Sequence, residues 1–399
     1  GLHVKNDPPV LFVRSGRMVR IISDERRYPS VDDVTEVALR HRLYECCDFL
    51  QVRQGKDGEL IKKRVRPSID CLRDVLAGRE WVDLLPPLVG VTNTPVIHPD
   101  GYIVSVAGYD PKTALYYHPE PDLIIPPIPL EPTRDDINTA VKTLWEPFKE
   151  FKFVDIADGT HVIAGLISIV CRNLITGSVP MLVIDKPTPG TGASLISQII
   201  GLISEGREPA TTTMPKTEEE WRKKIISTLS AGRPSLVVDN IEGRLKSPAL
   251  AALLTTREYS DRKLGTSDNL TMSHHIVWIA NGNNVTLAGD LPRRVYWSRM
   301  DSESVRPWAD EKQYVHPDIR NWTIEHRGEI LASILILARA WIQAKRPKPD
   351  DGVPKLGGFE SWRDVIGGIL SHAGIPGFLA NLQRCTKYQM SKCLNGISS

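Results

Sequence analysis

The residues with the clearest chemical capacity run Met181-Leu-Val-Ile-Asp-Lys-Pro-Thr-Pro-Gly-Thr-Gly-Ala-Ser194. Four apolar residues, Met181 to Ile184, fit a buried parallel strand, and the two prolines and two glycines after them fit a turn. Beyond the turn, Leu195, Ile196, Ile199, Ile200, Leu202 and Ile203 fall on a largely buried helix. Such a turn gathers backbone N–H groups and the positive end of a helix at one point, which is the requirement for holding a polyphosphate. The spacing follows the phosphate-loop pattern G-x-x-x-x-G-K-[ST], with Gly192 as the second glycine and Ser194 as the hydroxyl for a magnesium ion. Pro187 stands in place of the first glycine. Ala193 stands where a lysine would reach the β- and γ-phosphates, and a methyl group cannot do that. An introduced Lys-to-Ala change and a naturally degenerate loop both account for Ala193. The intact remainder of the loop favours the first.

The loop makes Pro189, Gly190, Thr191, Gly192, Ala193, Ser194 and Leu195 the expected contacts of a nucleotide, ATP with Mg2+. A second acid is needed to complete the metal site. Asp239, at the end of the apolar run Leu236-Val-Val238, is placed to hold magnesium with Ser194. Asn240 follows, where a carboxylate would polarise an attacking water, so either Asn240 only orients water or Glu242 substitutes. In Asn281-Gly-Asn-Asn284 an amide can hydrogen-bond a γ-phosphate, with Asn283 preferred over Asn281. Finally, Arg293 and Arg294 could stabilise transition-state charge on a neighbour's nucleotide, an effect worth roughly three to five powers of ten in rate.

These groups must be positioned by a larger framework. The 399 residues imply two or three domains, and 41% hydrophobic with 25% charged residues is ordinary globular composition. A formal net charge of +2 excludes a uniformly basic nucleic-acid-binding surface, leaving a local patch or repetition in a ring. The six cysteines show no zinc spacing and suit reduced thiols in the cytoplasm. No apolar run reaches membrane-spanning length, so no membrane partner is expected. The chain begins at Gly1 and is expected to be excised from something longer.

The pattern divides the chain into a mixed α+β N-terminal domain (1–118), a proline-rich connection (119–133), a P-loop ATPase core (134–320) and a helical lid (321–399). Helices are predicted over 34–50 and 68–77, with the basic run Lys62-Lys-Arg-Val-Arg66 between them either meeting phosphates or, the favoured account, forming a solvated surface loop. In the core, helices are predicted from Asp135 through Phe148, over 161–175, and from the capping-box pair Thr217 and Glu220. Strands are predicted at 181–184, 235–240, 275–281 and 294–300. Alternating helices and strands, with polar residues at strand ends, predict an α/β fold with a parallel sheet and a ligand at its carboxyl edge.

The order of phosphate loop, strand-end acid, polar strand end, paired arginines and helical lid resembles the AAA+ ATPases. More narrowly, Gly108-Tyr-Asp110, Pro189-Gly-Thr-Gly192, Val238-Asp-Asn240, Asp261-Arg-Lys-Leu-Gly265, Asp290-Leu-Pro-Arg-Arg294 and Gly358-Phe-Glu-Ser-Trp362 resemble the replicative helicases of phages, integrated plasmids and staphylococcal cassette elements, which are similar to MCM and superfamily 3 helicases. The resemblance implies self-association into a hexameric ring and sequence-independent binding of single-stranded or forked DNA. It also implies a hairpin insert at 259–273, with Arg262 and Lys263 on phosphates and Thr266 and Ser267 at the tip. The family carries lysine where this chain has Ala193, so hydrolysis is expected to be impaired. The rival readings are a nucleotide-gated, non-catalytic DNA-binding or assembly module and an AAA+ protein remodeller.

Overall fold

The structure, a computed structural model, describes residues 8–23, 28–188, 190–262, 269–301 and 314–382. The chain divides into two compact units, Gly1–Val91 with Ala107–Tyr116, and Thr92–Val106 with Tyr117–Ser399.

The smaller unit carries an antiparallel sheet of β1 (Leu11–Arg14), β2 (Arg17–Ser23) and β3 (Pro29–Asp33). Helices α1 (Glu36–Cys46) and α2 (Ile69–Gly78) follow, each started by a hydroxyl cap, Thr35 and Ser68, that accepts from a first-turn amide. Leu39, Leu43 and Leu72 from these helices join Leu11, Met18 and Trp81 in a small core. Between the helices, β4 (Leu50–Gln54) and β5 (Leu60–Arg64) pair as an antiparallel hairpin whose residues are all exposed. The basic run 62–66, expected as a loop, thus lies largely on a strand. Leu60 and Ile61 are adjacent and three basic residues follow, so no alternation signals a strand here.

The larger unit is built on a five-stranded sheet. Its strands are β6 (Met181–Lys186), β7 (Ala210–Thr213), β8 (Ser235–Leu245), β11 (Val277–Leu287) and β12 (Val295–Arg299); a separate hairpin of β9 (Glu258–Arg262) and β10 (Asn269–Ser273) precedes β11. The order is β7-β8-β11-β6-β12 and every neighbouring pair is parallel. Parallel strands need crossovers, and the helices that supply them cover both faces.

On one face lie α3 (Arg134–Trp145), α4 (Ile156–Val170) and α5 (Ala193–Glu205). They pack on Leu182, Ile184, Val237, Ile279 and Tyr296. On the other lie α6 (Glu218–Ala231) and α7 (Pro248–Leu253), against Met181, Val183, Val238, Trp278 and Trp297. Capping boxes at Thr133/Asp136, Asp155/Asp158 and Thr217/Glu220 start α3, α4 and α6. Helix α4 therefore begins five residues before the predicted position, at the Asp155/Asp158 capping box, with Gly159 and Thr160 buried inside it.

The C-terminal helices are α8 (Ile319–Glu325), α9 (Arg327–Gln343) and α10 (Glu360–Ala373). Ile330, Leu331, Leu335 and Ile366 of the last two belong to the same cluster as α4 and α5, so these helices share the core of the sheet's first face. The proline-rich stretch is held there too: Leu123, Ile125 and Ile128 pack on that cluster, and Arg339 donates to the carbonyls of Ile128 and Pro129 at 3.0 and 3.1 Å.

Candidate nucleotide site

The turn after β6 sits at the carboxyl edge of the sheet, where parallel α/β folds place ligands. Gly190 and Gly192 adopt φ of +81° and +96°, values that disfavour a Cβ. A Cβ on Gly192 would also lie 2.9 Å from the ring of Phe151. Gly192 caps α5 without a side-chain hydrogen bond, which leaves the first-turn amides of a 13-residue helix directed at the loop. Ala193 is fully buried, and Ser194 and Leu195 begin the helix behind it. Thr191 Oγ1 donates to the Thr188 carbonyl at 3.3 Å. Pro189 lies outside the described residues.

Two polar groups of the sheet, Asp239 and Asn281, meet two serines of the helix; the strands predicted to end at Asn240 and Asn281 run on to Leu245 and Leu287, so both groups lie within β8 and β11. Ser194 Oγ donates to Asp239 Oδ1 at 3.1 Å, Asn281 Nδ2 donates to the same oxygen at 3.2 Å, and Ser197 Oγ donates to Asn281 Oδ1 at 2.8 Å. The reason is the pleat: Val237 and Ile279 face α5, so Asp239 and Asn281, two residues on, face it as well. Ser197 was not singled out in sequence; its only signal is its place one turn beyond Ser194 on the sheet side of α5.

The two asparagines differ. Asn281 is buried and committed to Ser197 and Asp239. Asn283 lies further out along the same face, opposite Lys186 in the ladder, and its Oδ1 is buried with no hydrogen-bond partner. A buried amide oxygen without a partner is costly in a finished scaffold, and as an acceptor it is open to a donor such as an ammonium, while the Nδ2 of the same amide is the group able to donate to a phosphate. Thr188 Oγ1, in the loop itself, is in the same condition.

The ladder of β8 against β11 is irregular between Val238 and Ile241. Asn240 takes the strain, with φ of +54°, and its exposed side chain donates to Glu242 Oε1 at 3.0 Å. Asn240 and Glu242 are thus a linked pair at the mouth of the site.

The donors present suit magnesium, which takes hard oxygen ligands, keeps several waters and is held by one or two carboxylates together with phosphate oxygens. Ser194 and Asp239 are such a pair. Among the described residues, no group of three His, Cys, Asp or Glu forms a self-sufficient metal site.

The remaining sequence-derived residues lie elsewhere. Arg293 and Arg294 occupy a short 3-10 turn, Leu291–Arg294, and both contact Asp290 Oδ2, at 3.0 and 3.1 Å. Arg293 is exposed and Arg294 is mostly covered. They precede β12, whose first residue pairs with Met181 while the loop begins after Lys186. Five residues of strand therefore separate them from the loop, roughly 16 Å along the sheet. The β9–β10 hairpin is present, anchored by Tyr259 and Met272 in the second-face core. Arg262 ends β9, and Lys263, Thr266 and Ser267 lie outside the described residues.

No protein-family model and no curated protein matches the sequence. Among solved structures, the chain is similar to the apo A form of the NrS-1 C-terminal region, with 12% identity and a TM-score of 0.42, over 82% of this chain and 65% of that one. It is also similar to the SCCmec type IV Cch active helicase, with 12% identity and a TM-score of 0.32, over 98% of this chain and 78% of that one. The chain therefore spans 65% of the NrS-1 region it is aligned with. No helix among the described residues is long and apolar enough to cross a membrane.

Proposed function

We propose that the chain is the motor core of an ATP-dependent DNA helicase from a phage or mobile element. In this reading it works as a hexameric ring in DNA replication, with hydrolysis slowed by Ala193. The observation that carries the reading is the 3.1 Å contact between Ser194, first turn of the loop helix, and Asp239, within a strand two places away in the sheet. A hydroxyl and a carboxylate brought together beside open helix amides is the donor set for a metal-bound polyphosphate.

In this reading Ser194 and Asp239 would hold Mg2+, which neutralises charge on the phosphates when bound. The turn amides would hold the polyphosphate, Asn283 would meet the terminal phosphate, and Asn240 would keep Glu242 oriented toward water. Arg293 and Arg294 stand at the amino end of the sheet, too far from their own loop to serve it. A neighbouring copy's nucleotide is the target that their distance favours. The β9–β10 hairpin is the candidate DNA contact, with Tyr259 and Met272 at its base fixed in the core of the same sheet. Contacts to phosphates alone give sequence-independent, salt-sensitive binding.

The test joins three measurements on the same preparation. Binding of a fluorescent ATP analogue should require magnesium. Affinity for single-stranded DNA should fall steeply with salt, and the particle mass with ATP and DNA should be a ring multiple of the 44.5 kDa chain. DNA affinity that is absent, or indifferent to salt, points to a protein remodeller and ends the helicase reading.

A further inference from the structure

Ala193 removes the cation that a phosphate loop ordinarily provides, and a triphosphate held only by amides and one metal ion keeps uncompensated negative charge. Two other cations stand at the carboxyl edge of the sheet beside the loop, Lys186 at the end of β6 and Arg299 at the end of β12. The pleat assigns them to opposite faces. Arg299 follows Val295 and Trp297 onto the second face, where it lies 3.8 Å from the buried Asp185. Lys186 follows Leu182 and Ile184 onto the α5 face. That face also carries Asp239, Asn281 and Asn283. Lys186 is half-buried, immediately precedes the turn, and pairs directly across the ladder with Asn283, whose Oδ1 lacks a partner. Among the described residues no carboxylate is within ion-pair distance of its ammonium.

We propose that Lys186 is the phosphate-binding lysine of this chain, supplying from the strand end the charge that Ala193 cannot supply from the helix. The proposal rests on the nucleotide-site reading above. Its chemical content is an ammonium on a four-carbon stem approaching the terminal phosphate from the Asn283 side of the loop. Lysine suits the position because its compact charge and free rotation need no fixed fork geometry.

The experiment compares the Mg-ATP affinity of the parent chain with that of Lys186→Ala, Lys186→Arg, Ser194→Ala and the double variant Lys186→Ala/Ala193→Lys, each checked for an unchanged melting profile. Lys186→Ala should weaken binding roughly ten- to hundredfold, the factor one hydrogen bond between charged partners supplies. Lys186→Arg should retain most of the affinity, and the double variant should recover it. If Lys186→Ala binds ATP as the parent does while Ser194→Ala does not, the lysine assignment is wrong and the nucleotide site stands. If the parent itself binds no nucleotide, both fall together.

Discussion

Helix α5 ends in two opposite ways. At its amino end the turn amides face an open loop, Thr188 Oγ1 and Asn283 Oδ1 lack partners, and the side chains gathered there are bound to one another by single hydrogen bonds. At its carboxyl end the last carbonyls are met by side chains. Arg327, buried at the start of α9, donates to the Ile203 carbonyl at 2.9 Å, to Thr94 Oγ1 at 2.9 Å and to Glu120 Oε2 at 3.1 Å. Thr94 donates to the Ser204 carbonyl and Asn93 to that of Glu205. Glu205 in turn accepts from Arg233 at 2.7 Å and from Ser235 at 2.5 Å. Three successive helix carbonyls are thus capped by side chains, and a guanidinium sits at the negative end of the helix dipole. One end is saturated and fixes the helix on the sheet; at the other the first-turn amides have no side-chain cap and remain open donors, which is what an anion requires.

The strongest way to break this contrast is at the saturated end. Arg327→Met leaves Glu120 facing the gap and orphans the Ile203 carbonyl, and removing one partner of a buried pair costs about 3–5 kcal/mol. The thermal midpoint should fall by roughly 10 °C. ATP affinity of the molecules still folded should be unchanged, because the loss lies a full helix length from the loop. An unaltered midpoint in thermal unfolding followed by circular dichroism would mean that the network is ornamental.

A second scaffold group sharpens the contrast through pH. His274, just ahead of β11, is held by burial, and secondarily by Arg172, down to about 4; its Nε2 has no partner. Its folded value lies below the ordinary 6.5, so the unfolded chain takes up the proton first. The stability it contributes is complete above pH 6.5, is lost as pH falls toward 4, and changes no further below that. The total is about 3 kcal/mol. Urea unfolding across this range should show the difference between the parent and His274→Gln, and parallel curves would remove the assignment.

At the unsatisfied end the expected effects are on turnover rather than on stability. Ala193→Lys should raise DNA-stimulated ATP hydrolysis by about a hundredfold, within the span that one preorganised charge supplies. No gain in steady-state phosphate release would show that Ala193 is not what limits the rate.

The same two ends explain how far the sequence could be read. The loop, Asp239 and the strand carrying Asn281 are local patterns, an apolar run closing on a polar residue, and four of the five strands were visible that way. Strand β7, Ala210–Thr213, was not, because an edge strand alternates burial and its three threonines resemble a loop. The capped end of α5 was invisible for a different reason. Its partners come from positions 93–94, 120, 233–235 and 327, and no local periodicity ties an arginine to a helix end more than a hundred residues earlier. The sequence offers no local feature that ranks Asn283 over Asn281; the geometry adds that Asn281 is engaged with Asp239 while Asn283 retains an open oxygen.

The smallest expected effect tests whether the mouth of the site is itself strained. Asn240 holds φ of +54°, a conformation that asparagine tolerates, glycine accepts freely and alanine resists by roughly 1 kcal/mol. Its side chain donates to Glu242, so two roles can be separated by substitution. Asn240→Gly keeps the backbone and frees Glu242, whereas Asn240→Ala also strains the turn. In the Ala193→Lys background, equal turnover losses in the two variants would place the importance of Asn240 in its hold on Glu242. A loss confined to Asn240→Ala would place it in the backbone. The expected outcome is the first, together with a melting temperature lower by a few degrees in Asn240→Ala alone, since the bulge between Val238 and Ile241 gives the strand a left-handed residue here whatever the side chain does.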